Sequence, residues 1–154
     1  MITEGDTAPD VTLQMADGSM AQLSTLRTPL VLYFYPKDDT SGCTAEAKDF
    51  TALAAAFELE GTALLGVSKN SPKDHAKFTT KYDLKVPLAT DADGSVTEAF
   101  GTWVQKSMYG RKYMGIERAT FLIDADGKIA KVWRKVSVPG HAEEVLAAAR
   151  ALKG

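Results

Sequence analysis

The chain contains very little cysteine and histidine. Its 154 residues include one cysteine, Cys43, and two histidines, His75 and His141. One cysteine cannot form an intramolecular disulfide, so the chain has no need of an oxidising compartment and the cytoplasm is the expected location. Cysteine pairs with zinc-ligand spacing are also impossible, and the two histidines stand far apart in the sequence. We therefore expect no metal site.

Long apolar runs and a strong excess of one charge are missing as well. No stretch of about 18 apolar residues occurs, and the N-terminus has no basic segment followed by an apolar stretch and a cleavage site. The formal net charge of −2 gives no electrostatic reason to bind nucleic acid or an anionic membrane. Neither is expected as a partner.

The composition is that of an ordinary globular protein, with 45% apolar and 25% charged residues. A chain of this length can bury a core without disulfides or a structural metal. No internal repeat, low-complexity tract or linker divides it, so we expect a single domain over residues 1–154.

Strand and helix patterns alternate from the N-terminus onward. Asp17-Gly18, between two segments of strand character, predicts a hairpin turn. Residues 30–35 form an apolar run without alternation, which is typical of a strand buried on both faces. A helix ending near Gly61 is predicted next, because apolar residues recur there at helical spacing: Phe50, Leu53, Ala54 and Phe57.

The same alternation continues to the end of the chain. Residues 62–68 predict another buried strand, and Ser71 followed by proline predicts the start of a second helix. A short strand and a short helical stretch or turn come next. The last part predicts two β segments around a turn at Asp126-Gly127, then an amphipathic terminal helix.

This order of elements predicts an α/β protein with a thioredoxin-like fold. Strand, helix, strand, helix, β-hairpin and final helix would form a mixed central β-sheet flanked by helices. Two additions are expected, an N-terminal β-hairpin extension and an insertion before the last hairpin.

Cys43 lies where the first buried strand gives way to a helix. Either Thr40 or Ser41 can cap that helix, so Cys43 falls at or just inside its start. Unpaired backbone N–H groups and the positive end of the helix dipole stabilise a thiolate there. From this position alone, a reactive thiol and an inert buried cysteine are equally good interpretations.

Two neighbours of the cysteine have plausible chemical tasks. Thr40 precedes Cys43 by three residues, which brings its hydroxyl to the side of the sulfur, where it can accept from the thiol or donate to a substrate oxygen. Pro36 fixes the backbone at the end of the strand and supplies an apolar wall around the sulfur. Pro36 would act as a strand terminator in either case.

Two stretches carry a resemblance to a known family. FYPKDDTSGCTAE resembles the P-x-x-x-T-x-x-C active-site motif of peroxiredoxins, and VQKSMYGRKYMGIERATFLID resembles a downstream segment of their bacterioferritin comigratory protein, or peroxiredoxin Q, subfamily. The match covers nearly the whole chain. It implies a thiol peroxidase that reduces hydrogen peroxide and organic hydroperoxides through a cysteine sulfenic acid. No metal or flavin is needed, and a monomer or weak dimer is implied.

The resemblance also implies roles for individual residues. Cys43 would be the peroxidatic cysteine, Thr40 would hydrogen-bond the peroxide, Pro36 would shield the sulfur and Arg118 would complete the site. Arg118 opens a β segment, where its charge must find a partner beside a buried strand. A thiolate and a polar peroxide are suitable partners.

Two side-chain assignments remain open at this point. Arg118 could instead form a salt bridge with Glu117 or another surface acid. Glu46, about one turn beyond the cysteine, either orients Arg118 through an ion pair or only makes a favourable contact with the helix dipole.

The chain departs from many members of the subfamily because it lacks a second, resolving cysteine. Lys48 and Thr79 occupy the two positions where such a cysteine would be expected. An external thiol must then reduce the sulfenic acid, either thioredoxin or glutathione with a glutaredoxin. Lys48 could influence the local potential, although a lysine there is more often a solvated surface residue.

Three other functions compete with this interpretation. TFLIDADGK resembles a hydrolase phosphotransfer motif with Asp124 as nucleophile, but it lies too near the C-terminus, and hairpin turn chemistry explains it better. A cysteine hydrolase needs a histidine beside the thiol, whereas His75 and His141 are expected on the surface. A noncatalytic redox-sensing or holdase module is the remaining alternative.

Overall fold

A seven-stranded mixed sheet forms the centre of the protein. The computed structural model describes residues 2–26 and 28–153. The strands are β1 (Thr12–Met15), β2 (Met20–Gln22), β3 (Leu30–Phe34), β4 (Ala63–Ser68), β5 (Leu88–Thr90), β6 (Trp103–Met108), β7 (Arg111–Ile116), β8 (Ala119–Ile123) and β9 (Ile129–Trp133). The helices are α1 (Ser41–Ala52), α2 (Ala54–Leu59), α3 (Pro72–Tyr82), α4 (Ser95–Ala99) and α5 (His141–Lys153), with a 3-10 turn at Leu23–Thr25.

The strand order in the main sheet is β2-β1-β5-β4-β3-β8-β9. Strands β3, β4 and β5 run parallel, whereas β8 pairs antiparallel with β3 and β9 with β8. The β1–β2 hairpin extends the sheet at the other edge. This arrangement confirms the predicted thioredoxin-like fold and its N-terminal hairpin.

Strand β3 separates two hydrophobic cores, as its unbroken apolar pattern predicts. All five of its residues are buried. Val31 and Tyr33 face the core that includes helices α1 and α5, and Leu30, Leu32 and Phe34 face the core on the other side of the sheet. The chain that leaves the end of β3 therefore starts from a position fixed on both faces.

The long helix predicted after β3 is divided in two. Leu53 has φ −102° and ψ 4°, outside the helical region, and its N–H bonds to the carbonyls of Phe50 and Thr51 rather than continuing the regular helical pattern. Phe50 and Phe57 are buried on either side of this break, as predicted. The break changes the helix boundaries but not the buried face.

Helix α3 begins as predicted and ends on a left-handed residue. Ser71 is its N-cap, and the Ser71 Oγ accepts a hydrogen bond of 3.1 Å from the Asp74 N–H. Pro72 occupies the first helical position, where its missing N–H costs nothing. Asp83 follows the helix with φ 52°.

The prediction that both histidines lie on the surface is wrong. His75 is 0% exposed and His141 is 4% exposed. His141 Nε2 lies 2.8 Å from Thr120 Oγ1, between the rings of Phe50 and Trp133. Buried polar side chains are stable when they are hydrogen-bonded, and both histidines meet that condition.

The expected insertion before the last hairpin is a two-stranded antiparallel sheet, β6–β7, which the sequence did not predict as strands. Its turn lies at Tyr109 and Gly110, both with positive φ of 53° and 77°. Several large apolar side chains on it are exposed: Met108, Tyr109, Tyr113 and Met114. Within residues 2–26 and 28–153, no helix has the length and apolar character to cross a membrane.

The cap of α3 gives a first test of the fold. Ser71→Ala removes the acceptor for the Asp74 N–H, and we expect the free energy of unfolding to fall by about 1 kcal/mol. Urea denaturation measures the change. Thr80→Ala, at an exposed position on the same helix, should alter stability by no more than about 0.5 kcal/mol. Equal effects of the two substitutions would contradict the capping role.

Candidate active site

The loop that leaves β3 carries the chain into helix α1 through one left-handed residue. Asp39 has φ 61°, a conformation that aspartate adopts more readily than most residues. Thr40 follows in extended conformation at the N-cap position. Its side chain makes no capping bond; instead the Thr40 hydroxyl donates to the carbonyl of Lys37 at 2.9 Å. The hydroxyl oxygen is therefore free to accept a hydrogen bond on its other side.

Cys43 is the third residue of α1 and is only 2% exposed. The first helical hydrogen bond runs from the Thr44 N–H to the Thr40 carbonyl at 2.8 Å. The N–H groups before it, up to that of Cys43, have no acceptor within the helix. The structure therefore places the Cys43 side chain at the positive end of the α1 dipole, the position expected from the sequence.

Arg118 joins the cysteine to a second acid. Its Nη2 donates to Cys43 Sγ at 3.3 Å, and its Nη1 donates to Glu46 Oε1 at 2.6 Å. The Glu117 carboxylate instead pairs with Arg134, at 3.3 Å. Of the partners left open by the sequence, the structure shows Glu46 and the sulfur.

The charge of Arg118 is strongly held in this position. Burial acts to lower its pKa, but the charges of Glu46 and Cys43 outweigh that effect and raise the pKa above its usual value. The guanidinium thus stays cationic at every pH that the protein meets. It is a fixed positive charge beside the sulfur.

Glu46 lies in the interior and contacts Arg118 rather than the helix terminus. It is 1% exposed, and its Oε2 has no hydrogen-bond partner among the described residues. Burial raises the pKa of the carboxyl to about 7, although the Arg118 charge opposes this shift. Burial outweighs the Arg118 charge, and only one oxygen of the carboxyl group is hydrogen-bonded.

The remaining residues named from the sequence differ in their exposure to solvent. Pro36 is half-buried where β3 ends. Lys48 is exposed, with its Nζ 5.1 Å from the centroid of the Tyr82 ring, which favours the surface interpretation of this lysine. Thr79 is half-buried on α3.

Sequence reasoning missed two features beside the site. The pKa of Lys106 on β6 is lowered, first by burial and then by the Arg118 charge, while the Cys43 charge opposes that shift. The other is the buried contact between Asp38 and His75, 2.6 Å apart. The helical spacing of His75 and Phe78 placed both on one face and could have indicated burial.

Comparison with known proteins identifies the family of this chain. The model of the AhpC/TSA family matches residues 4–132. The chain belongs to the AhpC/TSA family. It is a peroxiredoxin of the Bcp, or peroxiredoxin Q, kind and therefore a thiol-dependent peroxidase, with one cysteine in place of two.

Relatives of this peroxiredoxin match it over most of their length. It is 44% identical over 146 residues to the peroxiredoxin Bcp of Xanthomonas campestris, covering 92% of this chain and 89% of the relative. It is 44% identical over 143 residues to the peroxiredoxin Bcp of Bacillus subtilis, covering 92% and 91%.

Solved structures show the same fold. The bacterioferritin comigratory protein of Xanthomonas campestris, studied for alkyl peroxide reduction in trapped intermediate and ligand complexes, superimposes with a TM-score of 0.92 at 39% identity, covering 99% of this chain and 100% of that one. BcpB of Mycobacterium tuberculosis gives a TM-score of 0.88 at 36% identity, with both chains fully covered at 100%. Within the described part of this peroxiredoxin, no group of three acidic, histidine or cysteine side chains could hold a metal ion.

Gly42 tests whether Arg118 activates the sulfur. A Cβ at this position would lie 3.1 Å from Arg118 Nη2, so Gly42→Ala should push the guanidinium away from Cys43. We expect the rate of Cys43 alkylation by iodoacetamide to fall about tenfold, as for loss of a hydrogen bond to a charged group. Ser41→Ala, in the same turn, should retain the rate. Alanine is a better helix former than glycine, so the substitution should preserve helix α1. An unchanged alkylation rate in Gly42→Ala would contradict the role of Arg118.

Glu46 should make stability depend on pH. Its pKa is about 7 in the folded protein against an ordinary value of 4.5, so the folded state binds this proton more tightly. The resulting stabilisation is fully present below the unfolded value and is lost as pH rises through the folded value. Relative to Glu46→Gln, we expect the wild-type free energy of unfolding to fall between about pH 5 and about pH 8. Urea denaturation across this range measures the difference; a constant difference would mean that Glu46 does not titrate there.

Proposed function

We propose that this protein reduces hydrogen peroxide and organic hydroperoxides by a one-cysteine cycle in which Cys43 is the peroxidatic residue. The observation that carries the proposal is the contact of Arg118 with Cys43 Sγ at the start of α1. A thiolate there is stabilised by the guanidinium and by unpaired backbone N–H groups.

The oxidation step follows from this arrangement. The Cys43 thiolate attacks the peroxide oxygen that bears hydrogen, the O–O bond breaks, and the other oxygen leaves and takes a proton from solvent to give water or an alcohol. Sulfur loses two electrons and becomes a sulfenic acid. Arg118 and the N–H groups of the α1 start stabilise negative charge as it moves from sulfur to the leaving oxygen.

Thr40 is assigned the role of hydrogen-bond acceptor. Its hydroxyl proton is already donated to the Lys37 carbonyl, so its oxygen can accept from the O–H of the bound peroxide. That contact would orient the attacked oxygen towards the sulfur. The sequence left open that Thr40 accepts from the thiol or donates to a substrate oxygen. Because its proton is donated to Lys37, we infer that it accepts, here from the peroxide.

Pro36 and Glu46 support these groups without reacting. Pro36 has no N–H and, half-buried at the end of β3, would present an apolar wall that keeps water from the sulfur. Glu46 would hold the Arg118 guanidinium in the orientation in which its other nitrogen reaches Cys43.

Regeneration requires a thiol from outside the chain. The sulfenic acid first condenses with one thiol, releasing water and giving a mixed disulfide, and a second thiol then displaces Cys43 and leaves as the disulfide. We propose thioredoxin, or glutathione with a glutaredoxin, as the reductant, which places the protein in a reducing compartment such as the cytoplasm. Overoxidation to sulfinic acid competes with this step.

A monomer or weak dimer is sufficient, because the residues assigned to the site come from one chain.

The noncatalytic redox-sensing or holdase module is a weaker candidate. It would require no peroxide-binding group near the cysteine. Cys43 and Arg118 are instead in direct contact, with Thr40 at the N-cap of the same helix.

Peroxide consumption with a supplied thiol tests the proposal. Cys43→Ser should lower the rate at least about a hundredfold, because the nucleophile is lost. One equivalent of peroxide should add one oxygen atom to the wild-type mass, and glutathione should then add one glutathionyl group. Parallel assays with thioredoxin and with glutathione plus glutaredoxin identify the reductant. Equal rates for wild type and Cys43→Ser would overturn the assignment.

A further inference from the structure

A network of buried polar side chains lies beneath the loop that carries Thr40. His75 Nδ1 lies 2.6 Å from Asp38 Oδ2, and the Tyr35 hydroxyl donates to Asp38 Oδ1 at 2.5 Å. His75 Nε2 lies 3.0 Å from the carbonyl oxygen of Ala89, in strand β5. Tyr35 and His75 are at most 1% exposed, and Asp38 is 8% exposed. None of these three side chains enters the reaction described above.

The contacts define where the protons lie. A carbonyl oxygen only accepts, so His75 Nε2 must carry a hydrogen and donate to Ala89. The imidazole Nδ1 and the Asp38 oxygen are too close for two lone pairs to face each other, so one proton lies between them. Asp38 is thus held by two hydrogen bonds, one to Tyr35 just after β3 and one to His75 in α3.

Further polar contacts join the same loop to α3 and to the segment before it. The Asp38 N–H donates to Asn70 Oδ1 at 2.9 Å, and the Asp39 carboxylate contacts Lys81 Nζ at 2.7 Å and the Tyr82 hydroxyl at 2.6 Å. A cleft of about 770 Å³ is lined by residues of the loop and of α3. These polar contacts help to fix the position of the loop beside the cleft.

The loop position determines the direction of the Thr40 hydroxyl. Thr40 donates to the carbonyl of Lys37, which directly precedes Asp38. Displacement of Asp38 would shift that carbonyl and turn the Thr40 oxygen away from the place where it accepts from peroxide. The contact between Cys43 and Arg118 uses neither Lys37 nor Asp38, because it joins α1 to the residue just before β8.

We propose that Tyr35, Asp38 and His75 form a positioning network that sets the Thr40 hydroxyl for peroxide binding while leaving the Cys43–Arg118 contact unaffected. This inference rests on the proposed function, in which Thr40 accepts from the peroxide. The network acts through Thr40 and contacts no reacting atom.

Two substitutions of His75 separate its two contacts. The amide nitrogen of asparagine can replace Nδ1 and donate to Asp38, whereas that of glutamine can replace Nε2 and donate to the Ala89 carbonyl. Both remove the buried ring and should destabilise the fold comparably. Only His75→Gln loses the hydrogen bond to Asp38.

The rate of Cys43 oxidation by peroxide and the rate of its alkylation by iodoacetamide provide the readout. In His75→Gln, the peroxide rate should fall about tenfold while the alkylation rate stays within about twofold, because only peroxide uses Thr40. His75→Asn should lose no more than about threefold in the peroxide rate. His141→Gln, at a buried histidine far from the loop in the sequence, controls for general destabilisation and should leave the ratio of the two rates unchanged.

A double-mutant cycle with Thr40→Val tests the route. If the network acts through Thr40, His75→Gln should cause no further loss of the peroxide rate in the Thr40→Val background. Tyr35→Phe, which removes only the hydroxyl that donates to Asp38, repeats the cycle should His75→Gln fail to fold.

The outcomes of these experiments distinguish the role of the network from the proposed peroxidase function. Equal peroxide rates for His75→Asn and His75→Gln, a parallel fall in alkylation, or additive losses in the cycle would overturn the network's role. A wild-type peroxide rate no higher than that of Cys43→Ser would instead overturn the proposed function itself.

Discussion

The site depends on one partly buried cation with two partners. Arg118 lies just before β8, and its guanidinium contacts a thiol sulfur on one side and a glutamate on the other. A guanidinium withdrawn from water without such partners would be destabilising. The same requirement that stabilises the fold therefore places a positive charge next to the only cysteine of the chain.

The strands and one glycine around the site position Arg118 beside Cys43. Strand β3 is buried on both faces, so the start of the following loop has a fixed position. The antiparallel pairing of β3 with β8 brings Arg118 close to α1. Gly42 allows the guanidinium to approach the helix start, since a larger residue would contact it at 3.1 Å. The sheet register and the missing side chain together determine the distance between charge and sulfur.

Local signals in the sequence predicted the parts of the fold that depend on local interactions. The apolar run of β3, the Ser71-Pro72 start of α3 and the turn at Asp126-Gly127 all involve residues close together in the chain. The positions of Cys43, Thr40 and Arg118 followed from the strand-to-helix junction and from the family resemblance. Their contacts did not, because Arg118 is 75 residues from Cys43.

The predictions that were wrong or missing concern features that depend on contacts between residues distant in the sequence. His75 looked like a surface residue in a polar helix, but Asp38, 37 residues earlier, supplies the partner that allows its burial. Among the described residues, strands β6 and β7 pair with each other and with no other strand. Their composition is exposed and partly charged, so they lack the alternation expected of a core-facing hairpin. The break at Leu53 interrupts a helical pattern that is continuous in the sequence.

The sequence separation between Cys43 and Arg118 also bears on how the protein folds. Helix α1 can form from local interactions, whereas Arg118 reaches the sulfur only after β8 has paired with β3, and such long-range pairing is slow. Until then the sulfur lacks its contact with the guanidinium. A growing or partly folded chain therefore carries its one cysteine without Arg118 beside it, and the site is complete only once β3 and β8 have paired.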